Sequence, residues 1–425
     1  MKGTHRIVIV GGGFAGLRTA LELVKRKARL RAFEITLVDR ETVHVYSPLL
    51  YEVCTGGLEK DDGSMAKDLR AGVSVPFSDF ERRVKGSKLK FVRGELSGID
   101  SEANEIQLKD GRTLPYDDLV LAFGVVPNTF GIPGVEEHAY KRKWLPDALK
   151  IREKLRMHLE MARKGKEKRL VVMVVGGGPT GTEFSAELAN FFQRLTREKR
   201  MSKDAWQIRL VEAGPSILGN ASPEIQKHAV KRLERLGVMI MPKTKMTAVE
   251  PGRACLSTDG EEECVREADV IVWAGGIKPS EALKSLKLQT DPKGAIVVDP
   301  AFQVKGRERV WALGDASGFV HPKTNARVPQ LAQVATREAG IVAENITRAL
   351  ERRPLISWFP PEKWITATPL GGSYAVADFG TFHVAGWRGF IVRKFADLSY
   401  FCSILPWRQA IPLWMHGTMV YRKND

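Results

Sequence analysis

The chain has 425 residues, 43% of them hydrophobic and 27% charged, with a formal net charge of +16. That length exceeds one hydrophobic core and asks for two or three domains, and the composition excludes both a disordered chain and a multi-span membrane protein. The positive balance favours an acidic partner (nucleic acid, an anionic membrane face or an anionic substrate), and four cysteines are too few for a disulfide scaffold, which fits a reducing compartment.

The N-terminus enters an apolar run, Ile7 to Val10, that is too short for the core of a signal peptide, so the chain is expected to stay in the cytoplasm. The stretch VIVGGGFAGLRTA follows, with Gly11, Gly13 and Gly16 at G-x-G-x-x-G spacing. In a strand–turn–helix unit the first glycine allows the tight turn. The second lets a pyrophosphate approach the backbone, and the third lets helix and strand pack closely. A helix over Gly16 to Lys27 then presents its free amide N–H groups to the phosphates. Asp39 ends the next apolar strand, EITLVD, where a carboxylate accepts from a ribose hydroxyl. Glu81 to Asp110 is polar and β-like, a small meander, and LVLAFG is a buried strand.

The same pattern returns about 165 positions later. LVVMVVGGG leads to Gly176, Gly178 and Gly181, a helix over Thr182 to Arg194, and the strand IRLVEAG with Glu212 at its end. Strand alternation puts Arg209 on another face, so the acid favours the free 2′-hydroxyl of NADH over the phosphate of NADPH. Two dinucleotide-binding domains are therefore expected, one for a flavin and one for the electron donor. In STDGEEE the Asp259-Gly260 pair signals a hairpin. Cys255 and Cys264 flank it symmetrically and are read as free thiols. DVIVWAGG and RVWALGDAS are further buried strands, and Asp315 stands just past the second, able to bind the ribityl and phosphate side of a flavin or to cap a helix.

Beyond about Pro354 the composition shifts: 14 of the 34 Phe, Trp and Tyr residues lie in the last 73 positions, which marks a separate module. Its tryptophans (Trp358, Trp364, Trp387, Trp407, Trp414) suit a headgroup zone, and Arg388, Arg393, Lys394, Arg408, Arg422 and Lys423 suit anionic lipid. Pro406 and Pro412 break the segment, so it is expected to lie in a membrane interface without spanning it. A dimer interface is the rival use of the same aromatics. The expected fold is α/β, with two Rossmann-type domains, the second inserted in the first, and a C-terminal membrane-associating module. Its parts are residues 1–125 with 290–352 for FAD, 126–289 for NADH, and 353–425 for the surface module. The eight histidines have no metal-ligand spacing. His44 and His383 are read as structural, and neither a metal nor nucleic acid is expected.

These residues resemble the type II NADH dehydrogenases, also called alternative NADH:quinone oxidoreductases, over about residues 5 to 390. The segments that carry the resemblance are HVYSPLLYEVCTGG, YDDLVLAFG with FGIPG, GGGPTGTEF, VWAGG, VWALGDAS, VPQLAQVATREAG and PLGGSYAVADFG. The resemblance implies FAD on Gly11, Gly13, Phe14, Ala15, Gly16, Asp39, Arg40, Ala122, Gly124, Gly314 and Asp315. It implies NADH on Gly176, Gly178, Thr180, Gly181, Glu212, Gly275 and Gly276, and a quinone on Ala332, Gln333 and Ala335. Glu183 matches an acid that the family places near nicotinamide and flavin, a candidate proton relay, and Gln333 is the candidate donor to a quinone carbonyl. The implied protein is a peripheral, non-pumping enzyme on the cytoplasmic face of the cell membrane, as a homodimer. Three positions depart from the family: Arg337 stands where it has Gln, Cys54 where it has Ala, and Phe123 where it has Thr. Two other functions share the architecture, a sulfide:quinone oxidoreductase and a membrane-bound NADH-sensing flavoprotein.

Overall fold

The seven apolar runs RIVIV, EITLVD, LVLAFG, LVVMVVGGG, IRLVEAG, DVIVWAGG and RVWALGDAS form strands of two parallel sheets in a computed structural model. The structure describes residues 4–26, 33–59, 63–84, 89–141, 143–163, 169–265, 267–280 and 282–422. It divides into two compact units. The first comprises Met1–Val45, Ser74–Val126 and Ile277–Pro361, and the second Tyr46–Val73, Pro127–Gly276 and Glu362–Asp425.

In the first unit five parallel strands run in the order Val310–Ala312, Asp118–Leu121, His5–Val10, Phe33–Asp39, Leu89–Arg93. His5–Val10 sits in the middle and is buried from Ile7 to Val10. A strand covered on both faces needs a continuous apolar run, which this one has. Helix Phe14–Lys25 follows it, with Ala15, Leu17, Ala20 and Leu23 inward and Glu22 paired with Arg18 and Arg26 at i,i+4. It packs on helix Ala332–Leu350. Leu17 and Leu23 are fully buried, each stabilising by roughly 1.5–3 kcal/mol. The meander expected over Glu81 to Asp110 is present only from Leu96, as Leu96–Asp100, Glu105–Leu108 and Thr113–Pro115. Glu81 to Arg83 end a helix, Phe77–Arg83, and Leu89–Arg93 joins the parallel sheet.

In the second unit the order repeats: Tyr140–Lys141, Val270–Trp273, Leu170–Val175, Trp206–Val211, Val238–Met241, all parallel. The strand before the second glycine turn is again central and wholly buried. Three antiparallel strands, Thr244–Glu250, Arg253–Thr258 and Glu261–Val265, carry the expected Asp-Gly hairpin, with Asp259 and Gly260 both at positive φ (52° and 95°) as a two-residue turn requires. That register puts Cys255 opposite Cys264, Cα atoms 4.0 Å apart and the sulfurs bonded. The free-thiol expectation is corrected here: the spacing around the turn, and not the low cysteine count, decides the pairing.

The C-terminal stretch of this unit forms strands Thr366–Pro369, Ala375–Asp378 and His383–Gly386, then helices Trp387–Ile404 and Trp407–Arg422. Pro406 separates the two helices. Pro412 does not break the second, but lies inside it. Lys423 and the side chain of Arg422 lie outside the described residues. Among the described residues no helix is long and apolar enough to cross a membrane.

Candidate functional site

Each glycine turn is shaped by clashes that only glycine avoids. Gly11 has φ +106°, and a Cβ there would lie 2.3 Å from the Ala122 carbonyl oxygen. A Cβ on Gly16 would lie 1.9 Å from the Gly11 carbonyl oxygen. The second turn repeats this: Gly176 has φ +105° with the Ala274 carbonyl oxygen 2.4 Å away, and a Cβ on Gly181 would reach to 2.0 Å of the Gly176 oxygen. Gly13 and Gly178 differ, for a Cβ on either meets no protein atom within 4 Å. Packing does not call for glycine there, whereas a ligand approaching the helix N-terminus does. The residues therefore fit a dinucleotide at both turns.

The acids at the strand ends are placed alike. Asp39 accepts from the amide of Gly12 at 2.6 Å and from that of Glu41 at 2.8 Å. Glu212 accepts from Gly177 at 2.6 Å and from Gly214 at 2.5 Å. Each carboxylate thus braces the middle glycine of its own turn. Burial raises the Asp39 carboxyl above its ordinary value, against the two amide bonds that lower it. Arg40 is exposed, and Thr180 is half-buried in the first turn of helix Pro179–Arg197. Arg209 donates to Gln207, away from Glu212's backbone contacts.

Other predicted residues gather around the first turn. A Cβ on Gly314 would lie 3.0 Å from that of Ala15 and 3.8 Å from that of Ala335. Gly314, Asp315 and Ala335 line one cleft with Glu338, a residue that no sequence motif marks. Gly124, at φ +69°, faces open space. Ala332 and Gln333 are half-buried on the helix Ala332–Leu350, while Arg337 is exposed. In the second unit Gly275 abuts Trp273, and Gly276 accepts from the amide of Asn128.

Two buried titratable groups flank the first turn. Glu338 is 3% exposed and accepts from the Gly314 amide at 2.6 Å. Burial pushes its carboxyl up to about 7; the Gly314 amide works against this and the Asp315 charge adds to it. His44 contacts the Gly12 carbonyl through Nδ1 at 2.9 Å, beside Phe14. Burial drives its imidazole down to about 4, opposed by that contact. His44 is thus a neutral brace, the structural role expected of it.

The two shifts act on stability with opposite sign. The Glu338 value lies above the ordinary one, so its contribution is complete below about pH 4.5 and is lost as pH rises through about 7. The His44 value lies below the ordinary one, so its contribution is present above about pH 6.5 and is lost as pH falls through about 4. Each is worth at most about 3 kcal/mol. Glu338→Gln should therefore gain stability over the parent as pH rises from about 5 to about 7.5. The measurement is the thermal midpoint of flavin-free protein across that range, and a constant difference would refute the assignment.

In the second unit Glu183 is half-buried within the field of Arg393 and Tyr51. Arg393 and Lys394 were expected to face lipid, but both turn inward. Arg393, 12% exposed, stands 3.3 Å from Asp397 and donates to the Pro48 carbonyl at 3.2 Å. Asp397, 1% exposed, also accepts from the Tyr46 hydroxyl at 2.7 Å. Lys394 lies 3.9 Å from Glu52. Burial works against the Arg393 charge, but Asp397, Tyr46, Tyr51 and Glu183 outweigh it and raise the guanidinium above its ordinary range. Of the five tryptophans only Trp387 and Trp407 are exposed: Trp358 is buried against Phe302 and Phe319, Trp364 is half-buried, and Trp414 donates to the Lys394 carbonyl.

A family model described as pyridine nucleotide-disulphide oxidoreductase matches residues 5–339. A Staphylococcus aureus protein named type II NADH:quinone oxidoreductase is 30% identical over 352 residues, covering 81% of this chain and 82% of its own. Among solved structures, NDH2 from Plasmodium falciparum in complex with NADH superposes with a TM-score of 0.82 at 21% identity, covering 99% of this chain and 98% of its own. The sulfide:quinone oxidoreductase from Aquifex aeolicus gives 0.75 at 17% identity, covering 99% and 92%. At those identities the two structures speak for the fold alone.

Proposed function

We propose, because the chain belongs to the pyridine nucleotide-disulphide oxidoreductase family and within it to the type II NADH:quinone oxidoreductases, that it is an FAD-dependent, non-pumping NADH:quinone oxidoreductase. The observation that carries this reading is the duplicated turn, each copy with an open second glycine and an acid bonded to its middle amide. FAD, when bound, supplies the redox chemistry, taking two electrons from NADH and yielding them to a quinone.

The chain's part is to bind and orient. Amides of the turn Gly11 to Gly16 hold the FAD phosphates, Asp39 and Arg40 the ribose side, and Ala122, Gly124, Gly314 and Asp315 the remainder. Gly176 to Gly181 hold NADH with Glu212 on its ribose, and Gly275 and Gly276 leave room for nicotinamide. Ala332, Gln333 and Ala335 form the quinone side, where the Gln333 amide donates to a carbonyl. Glu183, in the field of Arg393, relays the protons that quinone reduction consumes. Cys255 and Cys264 bond each other on their hairpin, which speaks against the sulfide reaction, since that needs a cysteine pair at the flavin.

We also place the enzyme at a membrane surface, on the cytoplasmic face. Helix Trp387–Ile404 exposes Trp387, Ile391 and Phe395 at i,i+4 spacing, and helix Trp407–Arg422 exposes Trp407, Ile411, Met415 and Met419 likewise. Arg388 and Arg408 lie over the rings of Trp387 and Trp407. Apolar stripes edged by aromatics and cations suit an anionic interface, and the same faces would serve a homodimer. The test is optical: NADH should bleach the flavin of detergent-purified protein, and a soluble quinone analogue should restore its absorbance. A flavin that neither NADH nor NADPH bleaches refutes the reading.

A further inference from the structure

One face of helix Pro223–Arg235 in the second unit serves neither turn. It carries His228, Lys231, Arg232 and Arg235 at i, i+3, i+4 and i+7, spacings that bring side chains onto one side of a helix. These four and Tyr374 line a cavity of about 180 Å³, and no carboxylate lines it. The ring of His383 meets that of His228 edge-on at 5.2 Å.

Arg232 is fixed in place. Its Nε donates to the Leu370 carbonyl and its Nη2 to the Gly371 carbonyl, both at 3.0 Å, and its guanidinium lies 4.8 Å from the centre of the Tyr374 ring. The loop that turns those carbonyls toward the helix needs Gly371 at φ +82°, where a Cβ would come within 2.5 Å of the Ala186 carbonyl oxygen. The described hydrogen bonds leave Nη1 unused. Glu187 bears on Arg232 electrostatically from helix Pro179–Arg197, but it is buried and accepts from the Gly372 amide at 3.2 Å. A guanidinium held on one edge with its other edge unspent, flanked by Lys231 and Arg235, is a preorganised receptor for a tetrahedral oxyanion.

We propose that this cavity binds a phosphate-bearing anion, gripped by the free edge of Arg232 and by Lys231 and Arg235. Two sources share that chemistry, a soluble phosphate compound and a lipid headgroup. Phe382 and Trp387, both exposed, stand beside His383 and at the start of the next helix. The proposal uses residues outside both glycine turns, so its failure leaves the oxidoreductase reading untouched, and the reverse also holds.

The experiment uses FAD-loaded protein with saturating NAD⁺ to occupy the dinucleotide sites. Pyrophosphate is titrated calorimetrically, and co-sedimentation with phosphatidylglycerol vesicles is compared with phosphatidylcholine vesicles. The double variant Lys231→Ala/Arg235→Ala removes two exposed cations. We expect binding roughly tenfold or more weaker in that variant. A loss in the pyrophosphate arm identifies a soluble ligand, and a loss in the anionic-vesicle arm alone identifies a headgroup. Arg232→Lys, which keeps the charge and loses the fork, should weaken the same arm. Equal behaviour of parent and double variant in both arms overturns the proposal.

Discussion

Gly13→Ala should purify as a folded protein that binds FAD roughly a hundredfold or more weakly, and Gly178→Ala should stay yellow but bleach only at far higher NADH. A methyl group at either position meets no protein atom within 4 Å, so nothing in the fold opposes it. What it does meet is the space in front of a helix N-terminus, where a diphosphate must approach amide N–H groups. Each charge-assisted bond lost costs about 1.5–3 kcal/mol, and two lost bonds give about two decades or more in affinity. Gly16→Ala and Gly181→Ala make the contrast, since a Cβ there lies about 2 Å from a backbone oxygen, 1.9 and 2.0 Å respectively, and must push helix from strand. Those variants should lose thermal stability as well as ligand. Flavin content, the FAD dissociation constant and the NADH dependence of bleaching separate the four. Parent-like FAD affinity in Gly13→Ala would remove the flavin from the first turn.

Arg393→Met should cost roughly 3–5 kcal/mol, because it leaves Asp397 charged, buried and without its cation. The loss should fall on the C-terminal helices first, since Asp397 ties Trp387–Ile404 to Tyr46. Limited proteolysis between Trp387 and Ile404, together with the thermal midpoint, reads it out. Arg393→Met/Asp397→Leu should recover much of the loss, because an apolar pair of similar volume replaces a buried ion pair at little or no cost. If the double variant is no more stable than the single one, the ion pair is not what holds the helix.

The buried strands were legible because parallel sheets covered on both faces demand unbroken apolar runs, and Val8–Val10 and Val171–Val175 supply them. Leu89–Arg93 and Tyr140–Lys141 are sheet edges with exposed or half-exposed positions, and carry no such run. Both glycine turns and their acids lie where the spacing put them; what the acids touch, the middle amide of each turn, has no sequence signature. The charges misled. Arg393 stands among surface cations in the sequence, yet its i+4 partner Asp397 marks it as half of an inward pair. Glu338 carries no sequence signal, because a glutamate in a polar-looking helix is ordinarily solvated, whereas here it falls on the face that packs toward Gly314. The Cys255–Cys264 pairing followed from arithmetic about the Asp259-Gly260 turn, which general cysteine usage wrongly overrode.

The excursion Tyr46–Val73 bears on how the C-terminal helices are to be regarded. Tyr46 stacks on Tyr400 and meets Phe401 at a tilt, Pro48 takes Arg393, Glu52 faces Lys394, and helix Gly63–Val73 packs on Trp407–Arg422. The last helices are therefore a wall shared with an early part of the chain and no detachable leash. Trimming them would strip the cover from Tyr46 and set loose a segment far upstream, whereas exchanging the outward Phe395 and Trp407 for polar residues would leave that wall intact.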